Sequence, residues 1–318
     1  MVSVTAPPRG AGLPGTQPSP PGRRRAARRD TRDAWVLVAP TTIIIIAVIV
    51  VPVLWNAVLA FQDIGFRELA DGRLFGAFTL ENFRDTLTSA GFWRSLWTTV
   101  VYSVAATIGS ILVGLVAALA FRNPFRGRGA LRAVMLLPYV APVVAVTFVW
   151  EVMLNPQFGI VNYYGTRLLG WDQAIDFLGR SPYAFATVIV FEIWRYFPFA
   201  FLFLTARLAA LPRDVEEAAL VDGVTPLQNF RHMVLPQLMG TIALLSVLRL
   251  IMTFNKFDDV YLLTGGTAGT EVAAVRVFNQ LTGNFNVGGA AATALVLAAV
   301  LAVFLYFYMR MLGRREEY

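Results

Sequence analysis

Glu217-Ala218-Ala219-Leu220-Val221-Asp222-Gly223, running on to Met233-Val234-Leu235-Pro236, is a charged and capped segment set between two long apolar stretches. A connector between apolar helices needs only a few residues, so local order written this strongly calls for a reason. Asp214 stands as an N-cap with Glu217 three residues on, the spacing that satisfies orphan amides at a helix start, and Gly223 falls just past the helix end. Thr225-Pro226-Leu227-Gln228 repeats the signal: N-cap, proline at the first helical position, glutamine at the third. The stretch reads as helix, sharp break, helix, and i, i+3, i+4 spacing puts Leu227, Phe230 and Val234 on one face. The expectation is a protruding knob with an apolar side, built for a partner.

Composition places the rest of the chain in lipid. Hydrophobic residues make up 57% and charged residues 15% of 318, and the mean hydropathy is +0.60; soluble proteins carry about a quarter charged residues. Spans of roughly 20 apolar residues cross a bilayer, and six stretches qualify, at about 35–61, 95–121, 131–154, 183–209, 237–256 and 288–312. Backbone groups in lipid must be satisfied within the segment, and the alternating pattern of a barrel is absent, so the fold class is all-α: a polytopic membrane protein with six transmembrane helices. Residues 1–33, rich in Pro, Gly, Arg and Ser, read as a disordered basic tail and not as a cleavable leader, leaving 34–318 as the membrane domain with the knob in a loop at about 210–236.

Arginine sets the orientation. Arg23, Arg24, Arg25, Arg28, Arg29 and Arg32 precede the first span, Arg122, Arg126, Arg128 and Arg132 follow the second, and Arg314 and Arg315 end the chain. With six spans these lie on one side, so both termini and the 210–236 loop are expected in the cytoplasm. The net charge of +7 is accounted for by these flanks and carries no aromatic-interleaved patch, which argues against nucleic acid. The chain has no cysteine and one histidine, His232, so thiol chemistry and multi-histidine metal sites are excluded. Its one lysine, Lys256, follows no glycine-rich loop, and no Gly-x-Ser-x-Gly elbow occurs. No catalytic and no metal-binding residues are expected.

The knob carries a resemblance. Glu217-Ala218-Ala219, three residues, Gly223, nine residues, Met233, one residue, Leu235-Pro236 is similar to the signature of permease subunits of binding-protein-dependent ABC importers, with Met233 where isoleucine is commoner. Asp222-Gly223, Pro226 to Phe230, and Asp258 to Gly266 resemble the maltose-type carbohydrate-uptake branch; Thr267 and Ala268 depart from the Gly and Pro usual there. The resemblance implies the type I importer permease fold, with the segment as a coupling helix seated in a cytoplasmic ATPase. Glu216, Glu217, Ala218, Ala219, Asp222, Gly223, Leu227, Phe230, His232, Leu235 and Pro236 would then make or shape that contact. It also implies a second, homologous permease in a heterodimer, two ATPase copies binding ATP and Mg, an extracytoplasmic solute-binding protein, and no cofactor on this chain. The setting would be the bacterial inner membrane, and docking would use loops of about 62–94, 155–182 and 257–287.

Ionisable residues inside apolar spans are expensive and mark pathways. Glu192 and Arg195, three apart, are expected to pair within the fourth span, beside Tyr196, with two readings open: a sugar path, or self-neutralisation near a helix end. Asn255, Lys256 and Asp258 at the end of the fifth span complete the candidate path, with interfacial snorkelling the favoured reading for Lys256. Pro138 and Pro142 in the third span read as packing kinks or as a break lining a cavity, and Gly109 and Gly114 as a small-residue face for close helix approach. The function expected is sugar import, a di- or oligosaccharide such as maltose or trehalose, by alternating access; sn-glycerol 3-phosphate is the rival substrate and a secondary transporter the distant alternative.

Overall fold

The computed structural model describes residues 36–211 and 223–313. The chain divides into two compact units, Met1–Asn56 and Ala57–Tyr318, and the candidate functional residues lie in the second. Helix α1, Val36–Ala60, leads into a two-residue antiparallel pair, β1 Gln62–Asp63 with β2 Ala77–Phe78, around the short α2, Phe66–Ala70. Then come α3 Glu81–Thr88, α4 Ala90–Ala120, α5 Arg128–Val140, α6 Val143–Leu154, α7 Ile160–Leu168 and α8 Tyr183–Ala209. Next come α9 Pro226–Phe254, α10 Asp258–Thr264, α11 Ala273–Thr282 and α12 Val287–Gly313. Among the described residues, five helices are long and apolar enough to cross a membrane, six if α5 and α6 count as one span.

The expected spans are present, with two differences. The third is no kinked rod: α5 and α6 meet at 95°. Pro138 is absorbed inside α5; the break falls at Ala141 (φ −64°, ψ 142°) and Pro142 (φ −57°, ψ 131°), because a residue before proline is driven out of the helical region and two successive extended residues turn the chain. The fifth span starts at Pro226, about a dozen residues earlier than hydropathy suggests, since the capped helix of the knob runs straight into it.

The packing centre is α4 against α8. The small-residue face is what permits it: a Cβ at Gly109 would lie 2.2 Å from Ile193 Cδ1, and one at Gly114 would lie 2.7 Å from Ala200 Cβ and 2.9 Å from the Phe201 backbone nitrogen. Two apolar clusters lie along these helices. One gathers Ile111 and Leu115 of α4, Phe201, Leu204 and Leu208 of α8 and Leu238 and Leu245 of α9, with Met135 and Leu136 of α5 against it. The other gathers Tyr102, Val146 of α6, Val188 and Phe191 of α8, Val260 and Leu263 of α10, and Val275 of α11.

Candidate functional site: a capped turn and a buried ion lattice

Of the coupling residues read from sequence, Glu216, Glu217, Ala218, Ala219 and Asp222 lie outside the described residues. Gly223 has φ +76°, the left-handed conformation that glycine adopts without a Cβ penalty. Thr225 caps α9 as expected: the Gln228 amide donates to its Oγ1 at 3.4 Å while the Thr225 amide donates to Gln228 Oε1 at 2.9 Å. The apolar face is divided. Leu227 is 74% exposed, whereas Val234 is buried in the molecule's own core and Phe230 packs against it. The three do not form one outward patch, because the helix is continuous with the span and carries its inner face into the bundle.

Pro236 explains how that continuity is achieved. Proline lacks the amide that a helix interior needs and crowds the preceding turn; here the preceding turn widens to a π-helix over Phe230–Val234, closed by the Leu235 amide donating to the Phe230 carbonyl. Gln237 Nε2 donates to the Met233 carbonyl at 3.0 Å, and Arg207 Nε, at the end of α8, donates to the Gln237 carbonyl at 3.2 Å. His232 is exposed, with its Nδ1 3.0 Å from the Gln228 carbonyl of its own helix.

The candidate path residues assemble differently from expectation. Glu192 and Arg195 do not pair with each other. Glu192 accepts from Arg249 Nη2 of α9 at 2.8 Å and from Thr253 at 3.4 Å. Arg195 turns the other way: its Nε lies 3.8 Å from Asp259 Oδ1 of α10 and its Nη2 donates to the Ala141 carbonyl at 3.3 Å. Lys256 does not snorkel. Its ammonium lies 3.3 Å from Asp259 Oδ2 and 3.0 Å from Asp258 Oδ1, and bonds to the Tyr196 hydroxyl. Tyr196 is the hub, with Arg249 Cζ 4.4 Å and Lys256 Nζ 4.6 Å from its ring centre. Asn255 stands apart, its side chain donating to the Ile251 carbonyl of its own helix at 2.9 Å; Asp258, 45% exposed, joins only through Lys256.

Three cations thus face three carboxylates, Glu192 with Arg249 and Arg195 with Asp259 across helices, and Lys256 with Asp258 and Asp259 two and three residues on. The physical reason is burial: Glu192, Arg249 and Asp259 are wholly buried and Arg195 nearly so, and a charge removed from water must be met by an opposite charge and hydrogen bonds, wherever these come from. Sequence reasoning did not foresee Asp259 and Thr253 as members or Arg249 as the partner of Glu192; the available signal was Arg249 itself, a charge inside an apolar span that needs an acid. It also passed over the buried hydroxyls Ser95, Thr99, Ser103 and Thr107 on α4, whose i, i+4 repeat marks a polar helix stripe. Fully buried Tyr102 adds an aromatic hydroxyl among them.

Residues 110–318 match the model of the family described as "Binding-protein-dependent transport system inner membrane component". The chain is 33% identical over 277 residues to the inner membrane ABC transporter permease protein YcjO of Escherichia coli, spanning 87% of this chain and 92% of that one. It is 29% identical over 266 residues to the trehalose/maltose transport system permease protein MalF of Thermococcus litoralis, spanning 82% and 88%. Its fold is similar, with a TM-score of 0.78 and 23% identity over 90% of this chain and 96% of the other, to a chain of a bacterial alginate ABC transporter crystallised with an alginate pentasaccharide-bound periplasmic protein. A broken-span helical bundle, an apolar chain with a capped signature loop, and these likenesses converge: the chain belongs to the inner membrane components of binding-protein-dependent transport systems, the multi-pass permease subunits of ABC importers.

Proposed function

We propose that the chain is one of two paired permeases in an ATP-driven importer that receives a di- or oligosaccharide of maltose or trehalose type from an extracytoplasmic solute-binding protein. The second permease is a homologue, two cytoplasmic ATPases bind ATP and Mg, and this chain binds neither. Both termini and the 210–236 loop face the ATPases. Closure of the ATPase dimer draws the two coupling segments together, the spans rock, and the passage opens outward to the docked binding protein; hydrolysis resets it.

The observation that carries this reading is the head of α9: a left-handed glycine, a capped turn and exposed Leu227 at the tip of one helix that ends beside the ion lattice. A tip held by its own hydrogen bonds transmits a push; a slack loop would absorb it. The lattice bears on the substrate. With three cations offset by three carboxylates it offers a phosphate no net positive charge, which disfavours glycerol phosphate, while Tyr139 lies 5.8 Å from Tyr196 and 6.0 Å from Phe199, aromatic faces of the kind that sugar rings stack on.

Proteoliposomes containing this chain, the second permease and the ATPase, supplied with loaded binding protein, should accumulate labelled maltose or trehalose with ATP inside, and should stop when ATP is withdrawn. Uptake that survives ATP depletion would instead identify a secondary transporter.

A further inference from the structure

The two apolar clusters divide the third span between them, although α4 and α8 pass through both. α5 packs with the cluster that holds Leu204, Val234 and Leu238, and α6 packs with the one that holds Val188, Val260 and Val275. Along α8, Glu192 and Arg195 lie between Phe191 of the second cluster and Ala200 of the first, and each meets a buried partner, Arg249 and Asp259. A polar layer therefore separates two apolar halves at the level where the third span breaks. Packed cores resist continuous deformation, and relative motion concentrates where packing changes hands.

Arg195 is the side chain that crosses this seam in three directions. It grows from α8, it donates to the Ala141 carbonyl at the break, and it faces Asp259 of α10, which packs against α6. The Ala141 carbonyl has no helical taker, because the next helix begins beyond Pro142 and its first amide-to-carbonyl bond, from Val146, goes to Pro142. Ala141 is half-buried, and a carbonyl left without a donor inside a membrane-spanning segment is costly, so the guanidinium both satisfies the break and fixes its angle. We propose that the seam is the hinge of this permease and that Arg195 is its positioning residue, holding the 95° break of the third span against α10 rather than touching the sugar.

This rests on the transport reading only for its consequence, and the hinge can be tested without transport. The chain has no cysteine, so spin labels placed at Leu137 and Phe148, 60% and 64% exposed on the two sides of the break, report its angle directly in the full chain in lipid nanodiscs. Arg195→Gln should broaden the label distance distribution about twofold, as expected when a two-state hinge loses its tie, and Arg195→Lys should restore part of it. Asp259→Asn, which leaves the Ala141 bond in place, should broaden it less, and Arg167→Gln, whose guanidinium bonds to Tyr163 of its own helix, should not broaden it. Wild-type width in monodisperse Arg195→Gln overturns the proposal; if that variant does not insert, wild-type width in Asp259→Asn does so. In the assembled transporter the same Arg195→Gln should raise hydrolysis in the absence of binding protein several-fold. Should no ATPase assemble at all, the transport reading fails while the distance measurement still decides the hinge.

Discussion

Arg249 on α9 donates to Glu192 on α8 across 2.8 Å, with 1% and 0% of the two side chains exposed. Such a pair is more expensive to halve than to remove. Glu192→Gln or Arg249→Met should each lower stability by about 3–5 kcal/mol, since the survivor is an unmatched buried charge, whereas a paired apolar replacement should recover much of the loss. Unfolding temperature in detergent, followed by tryptophan fluorescence, checks the order: both singles below the double.

Gly109 and Gly114 hold α4 against α8 for different reasons and should respond differently to repair. Gly109→Ala sets a methyl against the tip of Ile193, so Ile193→Ala should rescue it. Gly114→Ala meets the Phe201 backbone nitrogen and the Phe197 carbonyl, at 2.9 and 3.0 Å, which no side-chain trimming can move. Yield of monodisperse protein from the two series is the readout, and rescue of both would show that the helices separate easily.

Gly223→Val forces a β-branched residue to φ +76°, a strain of about 1–3 kcal/mol that reshapes the turn. The complex should still insert and assemble, while sugar taken up per ATP hydrolysed falls at least several-fold. Unchanged coupling would remove the turn from the mechanism.

Pro236→Ala supplies the missing amide and lets the π turn at Phe230–Val234 close to α-helical spacing. Losing one residue from that bulge rotates the tip by about 100° relative to the span, so Leu227 should point elsewhere. Thr225→Ala, by contrast, should leave the direction intact and loosen the tip by about 1 kcal/mol. Cross-linking from a cysteine placed at 227 to the ATPase separates these: redirected in the first, weakened in the second.

The number of spans, the small-residue face and the Thr225 cap were legible in the sequence because each depends on spacing within one helix. The ion lattice was not, because its cross-helix links join residues at least 54 apart in the chain (Arg195 with Ala141, Lys256 with Tyr196, Thr253 with Glu192), while the contacts of Lys256 with Asp258 and Asp259 are local. Local spacing favoured pairing Glu192 with Arg195; tertiary burial favoured Arg249. The break at Ala141–Pro142 lay between the two kinds: proline announced a disturbance, but its 95° size follows from two extended residues in succession, which one proline does not dictate. The divided face of Leu227, Phe230 and Val234 escapes periodicity for a simple reason. Spacing alone treats the knob as a helix that stops short of the membrane, and a helix that continues has an inside.

From Leu227 to Arg249, α9 spans about 33 Å at 1.5 Å per residue. A rod of that length magnifies small rotations: pivoting by about 5° at one end sweeps the other through roughly 3 Å, the reach of a hydrogen bond. A nudge too slight to disturb packing at the tip is therefore enough, at the far end, to part a guanidinium from its carboxylate.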